Sequence, residues 1–111
     1  MADKVEAQPR NLKDYLSADG KDPFDIWING LRNEKKKTTI RTRLNRVQQG
    51  NLGDCRPVGE GVHELIVDFG PGYRVYFGQD GDDVILLGGG DKRTQSTDIA
   101  RVKERWRDYN A

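Results

Sequence analysis

The amino-acid sequence predicts an α+β domain in which an N-terminal helical hairpin packs on one face of an antiparallel sheet. Apolar residues recur with helical spacing in residues 22–50 and with the alternation typical of strands from residue 62 onward. Glycine-containing turns separate the strand segments from one another. The predicted order is (β)ααβββα, where the bracketed first strand, near Leu12 to Leu16, has the poorest alternation.

Two helices are predicted from their start and stop signals. Asp22 is a suitable N-cap, and Pro23 occupies the first helical position, where its missing N–H costs no hydrogen bond. Asn33 caps the second helix, and Gly50 ends it. The apolar stripes of these helices consist of Phe24, Trp27, Ile28 and Leu31 in the first and Ile40, Leu44 and Val47 in the second. Because only a few residues join the helices, we expect an antiparallel hairpin.

Three meandering strands are expected after a glycine-rich connection at residues 50–61. Residues 62–69 alternate between two faces, and Gly70-Pro71-Gly72 then supplies a tight turn. In the next strand Arg74 faces away from Tyr73 and Val75. The apolar run of residues 84–87 is typical of a central strand covered on both faces. A polar loop and a last helix complete the predicted domain.

Length and composition are those of one small domain with a modest core. Of 111 residues, 34% are hydrophobic and 33% are charged. Residues 1–11 lack an apolar period and are expected to be a flexible leader before a single domain at residues 12–111. The lone Cys55 excludes an internal disulfide and favours the reducing cytoplasm. No apolar stretch approaches the roughly 20 residues of a membrane span, so no membrane partner is expected.

The net charge is only +1, but the charges are segregated along the chain. Residues 30–60 contain eight Lys or Arg against three Asp or Glu, and residues 92–111 contain six against three. Residues 61–91 reverse the balance, with Arg74 alone against six acids. Two basic segments therefore flank an acidic one, and it is the local potential that attracts a polyanion.

Arg74 is the first candidate for a functional residue, because it lies within a strand in a region otherwise poor in positive charge. One interpretation is structural: Arg74 pairs with Glu64 or Asp68 across the hairpin, where opposite charges stabilise a sheet. The other interpretation is functional: a rigid strand presents the planar guanidinium to a phosphate. The sequence alone leaves both interpretations open.

The segment Asp91-Lys92-Arg93-Thr94-Gln95 is the second candidate. It follows the expected central strand and leads into a helix, so N–H groups at the helix start can help to bind an anion. The three glycines before it permit close approach of a ligand to the backbone, but they do not match the phosphate-binding loop of NTPases. The alternative is a solvated loop in which Thr94 or Ser96 caps the helix.

For His63 and Cys55 the sequence allows a catalytic role, but it favours a purely structural one. Histidine suits proton transfer near neutral pH, but His63 shares a strand face with Leu65 and Val67, which favours a half-buried structural role. Cys55 has no evident paired base that would make it a nucleophile. Without a second histidine or a cluster of acids at ligand spacing, the sequence predicts neither a metal site nor a cofactor.

The largest basic run lies on the second predicted helix, where Glu34 is the only acid. The run consists of Lys35, Lys36, Lys37, Arg41, Arg43 and Arg46. A solvated helix face is the usual role of such residues, but pairing within the helix cannot neutralise this one. We therefore expect an exposed cationic ridge, for which a phosphate backbone is the usual partner, with Arg56, Arg93 and Gln95 as further candidates for contacts with that backbone.

Five short motifs stand in register over about residues 12–106. They are Asp22-Pro23-Phe24-x-x-Trp27-x-x-x-Leu31, Gly50-Asn51-Leu52-Gly53-Asp54, Val58-Gly59-x-Gly61-Val62-x-Glu64-Leu65, Gly70-Pro71-Gly72-Tyr73-Arg74-Val75-Tyr76-Phe77 and Gly89-Gly90-Asp91-Lys92-x-Thr94-Gln95-x-x-Asp98-Ile99. In order and spacing they resemble the RelE/ParE superfamily of bacterial toxins, above all its addiction-module killer-protein branch.

The resemblance implies a RelE-like fold and the toxin of a type II toxin–antitoxin module. RelE-type toxins cut mRNA, usually on the ribosome, and need no metal because the 2′-hydroxyl attacks its own phosphate. By position, Arg74 matches the strand arginine that contacts the scissile phosphate, and Lys92 falls near a second basic catalytic position. The resemblance also implies a cognate antitoxin, expected to be a small helix-turn-helix protein encoded adjacently.

The groups that transfer protons stay open, because the sequence departs from the RelE pattern. Asp98-Ile99 stands where RelE-type sites have a C-terminal tyrosine, and Arg56 is the only base near the place of their paired lysines. The candidates for proton transfer are Glu64, Asp91, Gln95 and Tyr76.

Three functions are compatible with the resemblance. The predicted one is a metal-independent endoribonuclease that inhibits translation, because a basic ridge and a sheet-face arginine suit an RNA strand. The second is a ParE-like inhibitor that binds DNA gyrase without catalysis, since one fold hosts both activities. The third is a toxin that has lost its activity and only binds an antitoxin.

Overall fold

A computed structural model of the protein describes residues 9–111. Its elements are β1 (Asn11–Asp14), α1 (Pro23–Asn29), α2 (Glu34–Gln48), β2 (Cys55–Gly59), β3 (Val62–Val67), β4 (Tyr73–Asp80), β5 (Asp83–Asp91), a short 3₁₀ turn (Lys92–Thr94) and α3 (Gln95–Tyr109). Most of the predicted leader, residues 1–11, lies outside the described residues. Within them, the backbone N–H of Arg10 donates to the carbonyl of Gln48 at 2.9 Å, and Asn11 already begins β1.

The five strands form one mixed sheet in the order β1-β5-β4-β3-β2. β1 runs parallel to β5, with Leu12 opposite Val84, whereas the other neighbouring strands are antiparallel. The prediction of an antiparallel sheet was therefore wrong. Hydrophobic alternation indicates which residues form a strand, but it contains no information on the direction of its neighbour.

β2 was missed because its composition is that of a loop. Residues 55–59 contain Pro57 and end at Gly59, and both residue types are rare inside strands. The strand nevertheless fits at the edge of the sheet, where a proline does not interrupt a ladder on its outer side. An irregularity between Pro57 and Gly59 shifts its register against β3.

The caps of the first two helices were predicted correctly. The Asp22 side chain accepts a hydrogen bond from the Asp25 N–H, and the Asn33 side chain accepts from the N–H groups of Lys35 and Lys36. The predicted N-terminal helical hairpin was wrong. α1 packs mainly against β5, whereas the sheet neighbour of α2 is β3. The apolar stripe of each helix packs against the sheet. Two amphipathic stripes in a sequence do not show whether the helices pack on each other or only on a sheet.

Helices cover both faces of the sheet, and a separate apolar core lies under each. The first core joins α1 and α2 to one sheet face; its members are Phe24, Ile28, Ile40, Leu44, Val47, Leu65, Val67, Tyr73, Val75, Phe77, Val84 and Leu86. The second core joins α3 to the other face through Tyr15, Val62, Tyr76, Ile85, Leu87 and Val102. The run of residues 84–87 alternates between the two cores, as expected of a strand covered on both faces.

The predicted RelE-like fold class is therefore corrected in three respects. The sheet has five strands instead of four, it is mixed instead of antiparallel, and its helices do not form a hairpin on one face. Among residues 9–111, no helix is long and apolar enough to cross a membrane.

Candidate functional site

Glu64 is the centre of a polar cluster on the face of the sheet that α3 covers. Among residues 9–111 it is the only charged residue that is buried, with 1% of its surface exposed. It lies on β3, opposite Arg56 of β2 and Tyr76 of β4. A buried carboxylate is costly unless charged or hydrogen-bonded partners surround it, so its neighbours define the site.

Three side chains converge on the two oxygens of the Glu64 carboxylate. The amide nitrogen of Gln95, the first residue of α3, donates to Oε2 at 2.5 Å. Nε of Arg74 lies 3.7 Å from the same oxygen, and Nε of Arg56 lies 3.8 Å from Oε1. The sheet and the start of α3 thus bring together two guanidinium groups, an amide and a carboxylate that are far apart in the sequence.

The two arginines differ in exposure. The Arg74 side chain is 12% exposed, whereas that of Arg56 is 64% exposed on the edge strand β2. Arg74 donates from Nη1 to the Gly72 carbonyl at 3.1 Å, and its Nε has no hydrogen-bond partner within residues 9–111. A guanidinium has five N–H groups, so Arg74 retains donors that a ligand can use.

Tyr76 places a hydroxyl group beneath this cluster. The residue is fully buried, and its Oη has no hydrogen-bond partner in the part of the chain that the structure describes. Burial raises the pKa of Tyr76 above its ordinary value, and the nearby Glu64 carboxylate raises it further. The Tyr76 hydroxyl therefore keeps its proton near neutral pH, in the vicinity of the Glu64 carboxylate.

Asp91 at the end of β5 and Lys92 on the turn after it are not among the side chains that contact Glu64 in the described part of the chain. Lys92 is exposed on the 3₁₀ turn that precedes Gln95, and within residues 9–111 no ion pair joins it to Glu64. Asp91 pairs with Arg93 at 3.0 Å and caps the turn by accepting from the Arg93 N–H. The Arg93 side chain lowers the pKa of Asp91, so this carboxylate stays charged as a cap.

The basic residues of α2 lie on the opposite side of the sheet from Glu64, because α2 packs on the first core. Lys35 and Arg41 are exposed. Lys36 lies over the ring of Tyr73, 5.9 Å from its centroid, and Lys37 pairs with Glu34 at 3.3 Å. The predicted ridge is therefore partly engaged in contacts within the fold.

Arg43 does not belong to the exposed ridge. Its guanidinium turns toward the chain after α2 and donates to the Leu52 carbonyl. Burial lowers the pKa of Arg43, and the charge of Arg46 lowers it further. A charged side chain that anchors a loop in this way is less available to an RNA backbone than Lys35 or Arg41.

His63 occupies the half-buried structural position that was one of its two predicted roles. Its ring stacks on Phe77 with centroids 5.4 Å apart, on the face of the sheet opposite Glu64. Cys55 is free and partly buried, and burial raises the pKa of its thiol, which disfavours the nucleophilic thiolate. Within residues 9–111, no group of three or more His, Cys, Asp or Glu side chains is arranged to hold a metal ion.

A cavity in the described part of the chain lies beside the start of α3. It has a volume of about 580 Å³ and separates α1 from α3 along the end of β5. Arg101 and Arg105 of α3 and Lys21 before α1 line it, together with Trp27. The sequence did not predict these cations as part of a site, although Arg101 and Arg105 are four apart on a helix and so share one face.

Comparison with known proteins finds a relative of this chain in Haemophilus influenzae. No protein-family model matches the sequence. An uncharacterized protein of Haemophilus influenzae is 49% identical to this chain over 81 residues, which cover 72% of this chain and 82% of the relative. At this identity and coverage, the chain belongs to the same family as that Haemophilus influenzae protein.

Proposed function

We propose that the protein is a ribonuclease toxin that cuts mRNA through the Glu64 cluster and thereby inhibits translation. The observation that supports this best is the convergence of Arg56, Arg74 and Gln95 on one buried carboxylate, on the strand next to the edge strand β2. Two cations, an amide donor and a proton acceptor are the groups that RNA cleavage without a metal needs.

Arg56 and Arg74 would bind the scissile phosphate from the side of β2. Guanidinium groups match the geometry of phosphate oxygens and form charge-assisted hydrogen bonds with them. The exposed Arg56 is accessible to a polymer in solution, while the less exposed Arg74 is fixed by the Gly72 carbonyl and by Glu64. Fixed donors stabilise the charge that develops in the transition state at little cost of reorganisation.

The reaction is an internal transesterification. The 2′-oxygen of one nucleotide attacks its 3′-phosphorus, the bond from phosphorus to the 5′-oxygen of the next nucleotide breaks, and a 2′,3′-cyclic phosphate and a 5′-hydroxyl form. Glu64 would accept the proton of the 2′-hydroxyl once a phosphate displaces Arg56 from it. Lys92, on the turn before Gln95, would donate the proton that the leaving 5′-oxygen takes up.

The ion pair of Arg74 with Glu64 also stabilises the sheet, and the two roles are compatible. Removing Arg74 would leave Glu64 buried without its closest cation, at a cost of about 3–5 kcal/mol. An experiment with Arg74→Ala would therefore not separate loss of function from loss of the fold. Arg74→Lys keeps the charge but removes the planar fork, and Arg56→Ala alters an exposed side chain only.

The proposal is tested by induced expression of these variants in growing bacteria, with RNA synthesis, DNA replication and translation followed separately. We expect the wild type to stop translation first, and Arg56→Ala and Arg74→Lys to be at least about tenfold less inhibitory at equal protein level. Arg107→Ala is the matched control, because Arg107 is also an exposed arginine, at 58%, paired with a glutamate, Glu60.

Two results would contradict the proposal that the protein is a ribonuclease. One is arrest of DNA replication before translation, which would favour a non-enzymatic inhibitor of DNA gyrase. The other is full growth inhibition by both variants. We further propose that a cognate antitoxin neutralises the protein, with mRNA and the ribosome as its other partners in the cytoplasm.

A further inference from the structure

The last part of β5 has a strand neighbour on one side only. β1 pairs with residues 83–86, and the N–H of Tyr15 then donates to the Leu86 carbonyl at 2.9 Å before the chain leaves the sheet. Residues 88–91 continue to pair with β4, after an irregularity at Leu87. Within residues 9–111, no strand continues the row of β1 beside them. The Leu87 carbonyl accepts a hydrogen bond from Arg105 at 2.9 Å, and the backbone groups on this side of β5 that have no such partner need water or another chain.

The cavity between α1 and α3 opens along this unpaired side of β5. Gly89 and Gly90 form part of its lining. The indole of Trp27 lies against Gly89 on one face of the sheet, and the carboxylate of Asp98 lies against Gly90 on the other, each so close that a Cβ atom would overlap it. Two helices therefore form walls on either side of an accessible strand edge, which makes a groove for an extended chain.

An exposed apolar side chain lines this groove. It is Ile26, which is 60% exposed. Large apolar side chains at the rim of a concave surface are typical of a site that binds a protein.

The charges of the groove favour an acidic occupant. Lys21, Arg101 and Arg105 line it, and within residues 9–111 neither Arg101 nor Arg105 has a carboxylate at ion-pair distance. The two carboxylates in the lining already have partners, since Asp91 pairs with Arg93 and Asp98 accepts a hydrogen bond from Thr94 at 2.5 Å.

The opposite edge of the sheet is protected against strand addition. β2 carries Pro57, an irregular register at Gly59 and the charged Arg56. Proline, bulges and charges are the usual means by which edge strands avoid pairing with another chain. The end of β5 carries no proline and only one charged residue, Asp91, although its register against β4 is irregular at Leu87.

We propose that the groove beside residues 87–91 binds an extended, acidic segment of a partner protein, which adds a short strand to β5 in continuation of β1. Backbone hydrogen bonds would supply affinity, and alternate side chains would contact Trp27 and Ile26 on one side and Arg101 and Arg105 on the other. This inference stands whether or not the protein cleaves RNA.

Selection of linear 12-residue peptides displayed on phage tests the proposal. The wild-type protein is the bait, and peptides that also bind the double variant Ile26→Asp/Arg101→Glu are removed. Both substituted side chains are exposed, so the fold is expected to persist. We expect peptides in which apolar residues alternate with Asp or Glu, and a synthetic one should protect the amides of residues 87–91 from hydrogen exchange.

Single substitutions separate the groove from a general charge effect. Lys21→Glu, in the loop before α1, should weaken the synthetic peptide at least about tenfold, whereas Arg107→Glu, with the same change in net charge, should leave its affinity unchanged. Three results would overturn the proposal: no peptide that discriminates against the double variant, protection at β2 instead of β5, or a single-stranded RNA probe bound in the groove in place of peptides.

Discussion

At the scale of single residues, the environment of Glu64 explains why a carboxylate can be buried under a helix in so small a protein. Gln95, Arg74 and Arg56 approach it from three elements, and each contributes a donor or a charge. The contacts to the arginines are longer than a close hydrogen bond, so the carboxylate is held by several moderate interactions instead of one strong one. A phosphate that enters beside Arg56 would compete with Glu64 for these same donors.

Asp14 carries the clearest pH dependence in the described residues. The residue is exposed on one side, and it lines a cavity of about 200 Å³ together with Phe24 and Leu44. Burial there, a hydrogen bond with Asp22 and the charges of Asp22 and Asp25 raise its pKa from 3.8 to about 7, against an opposing effect of Arg41. The folded protein therefore favours protonated Asp14 more than the unfolded chain does.

The stabilisation from protonated Asp14 is complete below about pH 4 and is lost as the pH rises through about 7. Asp14→Asn stays neutral, so we expect it to remove this fall in the free energy of unfolding between pH 4 and 8. Urea unfolding at several pH values measures the free energy of unfolding. Asp82→Asn in the β4–β5 turn is the control, because it also removes a carboxylate but leaves Asp14 in place. Parallel curves for wild type and Asp14→Asn would refute the assignment.

At the scale of elements, α3 connects the parts of the fold that the sequence could not place. Its first residue, Gln95, reaches β3, and Arg105 donates to the Leu87 carbonyl of β5 at 2.9 Å. Near its end, Asp108 accepts a hydrogen bond from Tyr15 at 2.6 Å, just after β1. One helix thereby fixes the cluster around Glu64, the groove beside β5 and the parallel first strand.

The contact between Tyr15 and Asp108 gives a prediction for stability. This hydrogen bond is the main reason that the pKa of Tyr15 is raised to about 12, and burial of the ring also raises the pKa. We expect Tyr15→Phe to lower the free energy of unfolding by about 0.5–1.5 kcal/mol, measured by denaturant unfolding. Tyr109→Phe removes a similar bond to Asp80, but an exposed one, so it should cost less. Equal losses would contradict this account.

The helices and strands were more predictable than their arrangement. Asp22, Pro23 and Asn33 begin helices because caps act within a few residues, and the alternation around Arg74 correctly placed its side chain away from Tyr73. The parallel pairing of β1 and the edge strand β2 depend on contacts distant in the sequence or on a proline that an edge tolerates. Local patterns do not contain that information.

The candidate site was predicted in part for the same reason. The possible pairing of Arg74 with Glu64 follows from a short hairpin, and the structure brings the two together. That Gln95 also reaches Glu64 requires the position of α3, and the groove requires α1 and α3 together. Trp27 belongs to an apolar stripe in the sequence, so nothing marked it as the wall of a cavity.

At the scale of the whole molecule, the two groups of basic residues lie on opposite faces of the sheet. Arg56 and Arg74 share the face of α3, whereas Lys35 and Arg41 lie on α2 beyond the first core. An RNA that contacts both must pass around an edge of the sheet. In the proposed ribonuclease, the cationic residues of α2 would therefore hold an RNA strand at a distance from the site of cleavage.

This separation predicts different kinetic effects for the two groups. We expect Lys35→Ala/Arg41→Ala to raise KM for RNA and to reduce the salt dependence of binding, because phosphate contacts are lost, while kcat is kept. Arg56→Ala should lower kcat instead. Cleavage rates over a range of RNA and salt concentrations distinguish the two. A fall in kcat for the α2 variant would place its residues at the reacting phosphate.

The most direct test of the proposed ribonuclease is the chemistry of the RNA ends. A defined mRNA is incubated with the purified protein in a reconstituted translation reaction, with and without ribosomes, and the new ends are sequenced and typed. The account predicts 2′,3′-cyclic phosphate and 5′-hydroxyl ends that Arg107→Ala still produces and that Arg56→Ala produces far more slowly. Intact mRNA under both conditions, or ends formed equally well by Arg56→Ala, would contradict it.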